Sequence, residues 1–242
     1  MKKLLVSLMI VLFPVLIWSQ ELSVGFQYGL EGNTMSDMQD FNTSIISTVP
    51  FDTKVVSDFP GYWYYQPSLK IAYKRFGFGL NYSYNSTGSR ISGKDYSGEF
   101  RFDLRLNKKS PGVFIEYYIF TVGGFRLCGE GEGGFMFSSL HLEQNLIVNG
   151  TTQLNDTYDF KAKNYFFQPG LKAIYRLNSF EFEINAAYLV QFGDGTFYNV
   201  SDKNMMLINT TTGVPVKPDW SGFKVGVGIN FILIKSKPDK SE

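Results

Sequence analysis

Cysteine and histidine are nearly absent. Cys128 is the only cysteine in 242 residues, so no disulfide can form within the chain, and His141 is the only histidine. A metal cage of clustered His and Cys is thereby excluded; only Glu130-x-Glu132 approaches ligand spacing, and two carboxylates alone make a weak claim, so no metal ligands are assigned. A dominant charge is missing too, because 23 Lys and Arg against 22 Asp and Glu leave a net charge of +1. That balance gives the chain as a whole no electrostatic footprint for nucleic acid or an anionic membrane surface. Long apolar runs are confined to the amino terminus. Past residue 20 nothing approaches the ~20 consecutive apolar residues a membrane helix needs, so the mature chain crosses a bilayer as strands or not at all.

The first twenty residues have the make-up of a secretory signal. Lys2 and Lys3 supply a positive start, Leu4 to Ile17 an apolar stretch too short for a comfortable membrane span, and Trp18-Ser19-Gln20 a polar exit. Cleavage is expected near Ser19 or Gln20, where no Cys stands to accept a lipid. The domain reading is a signal peptide over 1–20, a barrel over 21–234 and a short periplasmic tail over 235–242.

What the chain has in quantity is aromatics, 17% with 23 Phe and 15 Tyr, set in a period of two. Leu22, Val24, Phe26, Tyr28 and Leu30 alternate with Ser23, Gly25, Gln27 and Gly29. Trp63 to Tyr73 and Phe76 to Tyr84 repeat the pattern, as do Val113 to Phe120, Phe125 to Phe137, Tyr165 to Tyr175, Phe180 to Phe192 and Phe223 to Leu233. These eight segments have the length of tilted bilayer-crossing strands.

Short connections at Lys74-Arg75, Thr121 to Gly124 and Leu177 to Ser179 alternate with long ones over Glu31 to Tyr62, Asn85 to about Gly112, Ser138 to Asn164 and Gly193 to Gly222. That order predicts an all-β fold: an eight-stranded antiparallel up-and-down transmembrane β-barrel with short periplasmic turns and long extracellular loops. Phe100 to Leu106 also alternates. It reads as a protruding extension of the fourth strand, joined to Val113 through an irregular stretch at Asn107 to Gly112; ten strands is the competing count. An internal repeat favours eight: Tyr65-Gln66-Pro67-Ser68-Leu69-Lys70-Ile71-Ala72-Tyr73 returns as Phe167-Gln168-Pro169-Gly170-Leu171-Lys172-Ala173-Ile174-Tyr175, four strands later.

Period two does not say which face is wet. The Phe, Tyr and Leu rows of eight strands would overfill a narrow lumen, whereas Gly, Ser and ionic rows suit one. Apolar rows are therefore expected on lipid, with Trp63, Tyr73, Tyr84, Tyr175 and Tyr188 in interfacial girdles. The lumen would then hold Lys70, Glu116, Arg126, Glu130, Glu132, Lys172, Glu181, Glu183 and Lys224, both signs together, as an ion-pair network.

The stretch Ser110-Pro111-Gly112-Val113-Phe114-Ile115-Glu116-Tyr117-Tyr118, followed by Gly129-Glu130-Gly131-Glu132-Gly133-Gly134, resembles the central hairpin of the small PorT-like outer-membrane β-barrel family of Gram-negative bacteria. The last strand resembles the signal read by the barrel-assembly machinery, carried by Lys224, Gly226, Ile229 and Phe231, although Ile232 to Glu242 follow it. The resemblance implies envelope localisation, outer-membrane lipid as surroundings and the assembly machinery as a partner in biogenesis. It implies no single activity.

Chemistry is sparse. His141 lies near Ser138 and Ser139 with no acidic partner at a recognisable spacing, so catalytic residues are not assigned. The glycines of Gly129 to Gly134 lack a following helix and do not make a phosphate loop, and no cofactor is expected. The outer loops carry Met35, Met38, Phe41, Ile45, Ile46, Phe51 and Phe59, then Phe197, Tyr198, Met205, Met206, Leu207 and Trp220. These are expected to pack over the barrel mouth, with a protein partner as the alternative use. The functional expectation is a non-enzymatic barrel with a structural or interaction role; small-solute transport and, less favoured, an envelope hydrolase remain as alternatives.

Overall fold

The computed structural model describes residues 21–49, 52–96 and 98–235. The signal segment expected over 1–20 and the tail after 235 lie outside the described residues, as does Phe51. The chain runs β1 (Glu21–Glu31), α1 (Ser36–Thr48), β2 (Lys54–Asp58), β3 (Tyr62–Tyr73), β4 (Phe76–Lys94), β5 (Gly98–Val122), β6 (Phe125–Val148), β7 (Thr151–Leu177), β8 (Phe180–Phe192), β9 (Tyr198–Asn199) and β10 (Gly222–Lys235).

Eight strands close a ring in the order β1, β3, β4, β5, β6, β7, β8, β10, each antiparallel to the next, with β10 pairing back to β1 from Glu21↔Lys235 to Glu31↔Lys224. This is the eight-stranded up-and-down barrel. β2 and β9 pair with β4 and β7 outside the ring, so ten strands in the sheet are compatible with eight in the barrel. Hairpins at one end are tight because their first turn residue takes positive φ: Lys74 at 52°, Gly123 at 58° and Asn178 at 56°.

The strands fall into two lengths. β1, β3, β8 and β10 have 11, 12, 13 and 14 residues, whereas β5, β6 and β7 have 25, 24 and 27. Nine to eleven residues suffice to cross hydrocarbon. At about 3.4 Å per residue, the long strands continue well past the short ones as a curved wall.

The two storeys invert each other. In the ring, Val113, Ile115, Tyr117 and Ile119 of β5 point outward while Phe114, Glu116 and Tyr118 point inward. Along the same strand beyond the ring, Arg101, Arg105 and Lys109 point outward, and Phe100, Phe102, Leu104 and Leu106 are buried on the inner side. β6 does the same, with Phe135 and Phe137 outward below and Leu140 and Leu142 inward above. The ring is apolar outside and ionic inside; the extension is polar outside and has its own apolar core.

That core is completed by the loops. Met35, Met38, Phe41 and Phe59 from the first, and Phe197, Leu207, Val216 and Trp220 from the last, are buried against Ile91, Phe102, Leu106, Leu140 and Phe160 of the wall. Burying each large apolar side chain contributes roughly 1.5–3 kcal/mol, enough in sum to hold both loops across the mouth. Helix α1 forms because Met38, Phe41, Asn42 and Ile45 recur at helical spacing on one face. Val49 is already extended at the residue before Pro50. Asn42 Nδ2 donates to Asp58 Oδ1 and Ser89 Oγ at 2.7 Å each, tying α1 to β2 and β4.

Several sequence expectations are corrected here. Asn85 to Gly112 is not a loop: β4 runs to Lys94 and pairs with β5 without a break from Phe76↔Tyr117 to Lys94↔Glu99. Asn107 to Gly112 is regular strand, and only the change of surroundings mimicked irregularity. Ser138 to Asn164 is likewise a hairpin, turned at Asn149-Gly150 with φ of 50° and 75°, the positive pair of a type I′ turn. Gly129, Gly131 and Gly133 face outward among the apolar rows, as the inward placement of Glu130 and Glu132 requires. Lys235, expected to open the tail, ends β10.

Candidate functional site

Inward positions of the ring bring the sequence-identified charges together in stacked layers. At the short-turn end Arg126 Nη1 donates to Glu181 at 3.3 Å and Lys70 Nζ at 3.1 Å, while Arg176 clamps both Glu181 and Glu21. One layer deeper Lys172 meets Glu116 at 2.7 Å, pairs with Glu130, and lies 3.8 Å from Glu183; Lys70 reaches the same Glu116 at 3.4 Å. Glu183 accepts from Gln27 at 2.6 Å and Asn230 at 2.8 Å.

Above them Glu132 Oε2 accepts from Gln66 at 3.2 Å and Gln168 at 3.3 Å. Lys224 donates to the carbonyl oxygens of those same two amides, at 2.5 and 3.4 Å, and sits 4.2 Å from the centre of the Tyr64 ring. The uppermost layer is Glu31 with Lys108, which lies 5.0 Å from the Trp220 ring. Trp220 Nε1 donates to Ser138 Oγ at 3.0 Å, and the apolar core begins there.

The repeat read in the sequence acquires a physical meaning. Its equivalent lysines, Lys70 and Lys172, converge on one carboxylate, Glu116, and its equivalent glutamines, Gln66 and Gln168, converge on Glu132. Mates from opposite sides of the ring thus share acceptors near the axis.

Six cations (Lys70, Lys108, Arg126, Lys172, Arg176, Lys224) face seven carboxylates (Glu21, Glu31, Glu116, Glu130, Glu132, Glu181, Glu183). Near-neutrality is what allows this many ions in a narrow interior, because an isolated buried charge is far costlier than a paired one. Sequence reasoning missed Glu21, Glu31, Lys108 and Arg176. Lys108 and Glu31 stood in segments read as loop, although each continues the inward phase of its strand. The side chains of Asn81, Ser83 and Ser110, and one oxygen each of Asn85, Glu31 and Glu132, are buried with no protein hydrogen-bond partner among the described residues, a polar lining of the kind that buried water commonly serves.

On β10, Lys224 points into the lumen, and Gly226 leaves room for Tyr64, whose hydroxyl approaches it; Ile229 and Phe231 face outward, Phe231 with its ring 5.3 Å from that of Phe180.

His141 stands on the outer face of the extension, and here too the structure differs from expectation. Nδ1 is 2.8 Å from Asp159 and Nε2 3.0 Å from Glu143, so it has two acidic partners. Their hydrogen bonds, Asp159 foremost, raise the imidazole above its ordinary value near 6.5. With both ring nitrogens engaged, neither is free to activate a hydroxyl, and Ser138 points the other way, to Trp220. Next to it Asp103 is ion-paired to Arg90 at 2.6 Å and to Arg101 at 2.5 Å. Partial burial pushes the Asp103 carboxyl up, but hydrogen bonds from Arg90 and Arg101 outweigh it and hold it below the usual range.

The chain matches no protein-family profile and no curated protein. Among solved structures it is similar to Ail, the attachment invasion locus protein of Yersinia pestis, at 12% identity and a TM-score of 0.41, covering 88% of this chain and 99% of that one. Neisserial surface protein A is similar at 12% identity and a TM-score of 0.37, over 87% and 96%. The transport unit of the autotransporter AIDA-I from Escherichia coli has 12% identity and a TM-score of 0.28, over 89% and 91%.

Proposed function

We propose that this chain is exported, cleaved near Ser19 or Gln20, and inserted in the outer membrane as a sealed barrel that carries a rigid sheet beyond the bilayer. The observation behind this reading is a lumen filled by paired ions and capped by an apolar core, inside a ring whose outer surface is Phe, Tyr, Leu, Ile and Val. A lipid-facing surface and a plugged interior fit anchoring and display better than passage of a solute. The likeness of the Ser110–Gly134 hairpin to PorT-like barrels supports the same address, and Lys224, Gly226, Ile229 and Phe231 would be read by the assembly machinery.

The role is non-enzymatic, with the extension and last loop as the contact surface for a protein partner. Met205, Met206, Ile208 and Val214 are 45–57% exposed on that loop, an apolar grouping of the kind that marks interaction sites. Planar-bilayer recording tests the sealed lumen. The expected result is no stable conductance from the intact protein; openings that change on Glu130→Ala or Lys172→Ala would overturn it in favour of transport.

A further inference from the structure

Charge over the whole chain is balanced, yet on the outer face of the extension it is segregated by height. Past the apolar run of each long strand, the first two outward residues are Ser86 and Gly88 on β4, Lys109 and Asn107 on β5, Ser139 and His141 on β6, and Lys163 and Lys161 on β7. No carboxylate is among them. Acids begin at the third position, with Glu143 and Asp159, and those neutralise their surroundings: Asp103 holds Arg90 and Arg101, while Asp159 and Glu143 hold His141.

Lys109, Lys161 and Lys163 are exposed and make no ion pair with any described residue. Lys163 leans back over the belt, its Nζ 4.8 Å from the Phe135 ring and 5.8 Å from Phe137. The register Lys109↔Phe137↔Lys163 puts two lysines either side of one belt phenylalanine, two strand spacings or about 10 Å apart. Unpaired cations at the upper rim of a lipid-facing surface, beneath a zone where acids pair Arg90, Arg101 and His141 and leave Arg105 unpaired among the described residues, stand at the height of the headgroups of the surrounding leaflet.

We infer that Lys109, Lys161 and Lys163 form a binding site for the phosphate of an anionic lipid headgroup. The site rests on the bilayer-spanning reading above. Lysine at a membrane surface attracts anionic lipid with about fivefold gain per residue, and a fixed strand register turns that attraction into a localised contact.

The test reconstitutes the full chain in phosphatidylcholine vesicles containing spin-labelled phosphatidylglycerol or spin-labelled phosphatidylcholine, and reads the protein-associated fraction of each. Failure to enter neutral vesicles at all would count against the barrel reading rather than the site. With insertion achieved, phosphatidylglycerol should be preferred several-fold, and K109Q/K161Q/K163Q should abolish the preference. R90Q/R101Q, which removes cations already paired to Asp103, should leave it unchanged. Equal association of both lipids with the intact protein, or retention of the preference in the triple variant, would overturn the site. Loss of the preference to an equal concentration of inorganic phosphate would also overturn it, since the ligand would then be a free anion and not a lipid.

Discussion

Two halves of one strand set the terms for this protein. From Val113 to Ile119 β5 turns Val113, Ile115, Tyr117 and Ile119 out and holds Glu116 inward between Phe114 and Tyr118; from Phe100 to Leu106 it turns its charged side chains out and its apolar ones in, with no break in backbone pairing between. Alternation alone fixes that side chains segregate, and the solvent on each side decides which set goes where. Below the switch the outer surface is apolar and the inside pairs ions; above it the outer surface is polar and the inside is an apolar core.

The largest effects should come from breaking the rule on the inner side. Lys172→Met leaves Glu116, Glu130 and Glu183 with one cation fewer in a closed interior, and should cost about 3–5 kcal/mol, read from reversible urea unfolding in vesicles. Phe102, 2% exposed with its ring 6.1 Å from Phe41, is the counterpart above; Phe102→Ala should cost about 3–4 kcal/mol. That loss should appear as faster proteolysis of α1 and the last loop, while the ring stays protected. If both variants loosened the whole molecule equally, the two storeys would not be separate packing units.

Outer-face substitutions should separate the halves next. Ile115→Arg puts a cation on the belt and should lose about 2–4 kcal/mol, whereas Arg105→Ile, on the same face of the same strand, should leave stability within about 0.5 kcal/mol. Comparable losses would contradict the assignment of solvents.

The smallest effect is a titration. The single histidine has its folded value raised by Asp159 and Glu143, so its contribution is full below the unfolded value and fades as pH rises through the folded one. The imidazole NMR midpoint should lie above 6.5 and fall in Asp159→Asn; an unchanged midpoint in that variant would remove Asp159 as its cause.

The ring was legible because each of its strands keeps one phase. Trp63 to Tyr73 and Phe180 to Phe192 place ring residues on the face expected of them, and the sequence repeat makes Lys70 and Lys172 equivalent, the two that share Glu116. The extension was harder to read because its strands keep the same inward–outward alternation but exchange which face is apolar. Asn107 to Gly112 carries the crossover, and Pro111 sits within it, so it passed for a break. Asn149-Gly150 is a turn signal between Val148 and Thr151, and Met38, Phe41, Asn42 and Ile45 stand at helical spacing; both lie in the intervals between the strongly alternating segments, where period two gives no sign of them. The Glu31–Lys108 pair had no sequence signal, since it depends on register across strands distant in the chain.

The most direct test places a spin label at Ile115 or at Arg105, one at a time, in a Cys128→Ser background and in reconstituted vesicles. Both side chains point outward on β5, so a wholly water-exposed barrel would give them the same surroundings. The account predicts that the label at 115 is relaxed by oxygen and shielded from a water-soluble nickel complex, and that the label at 105 shows the opposite. Equal access of the nickel complex to both positions would contradict it.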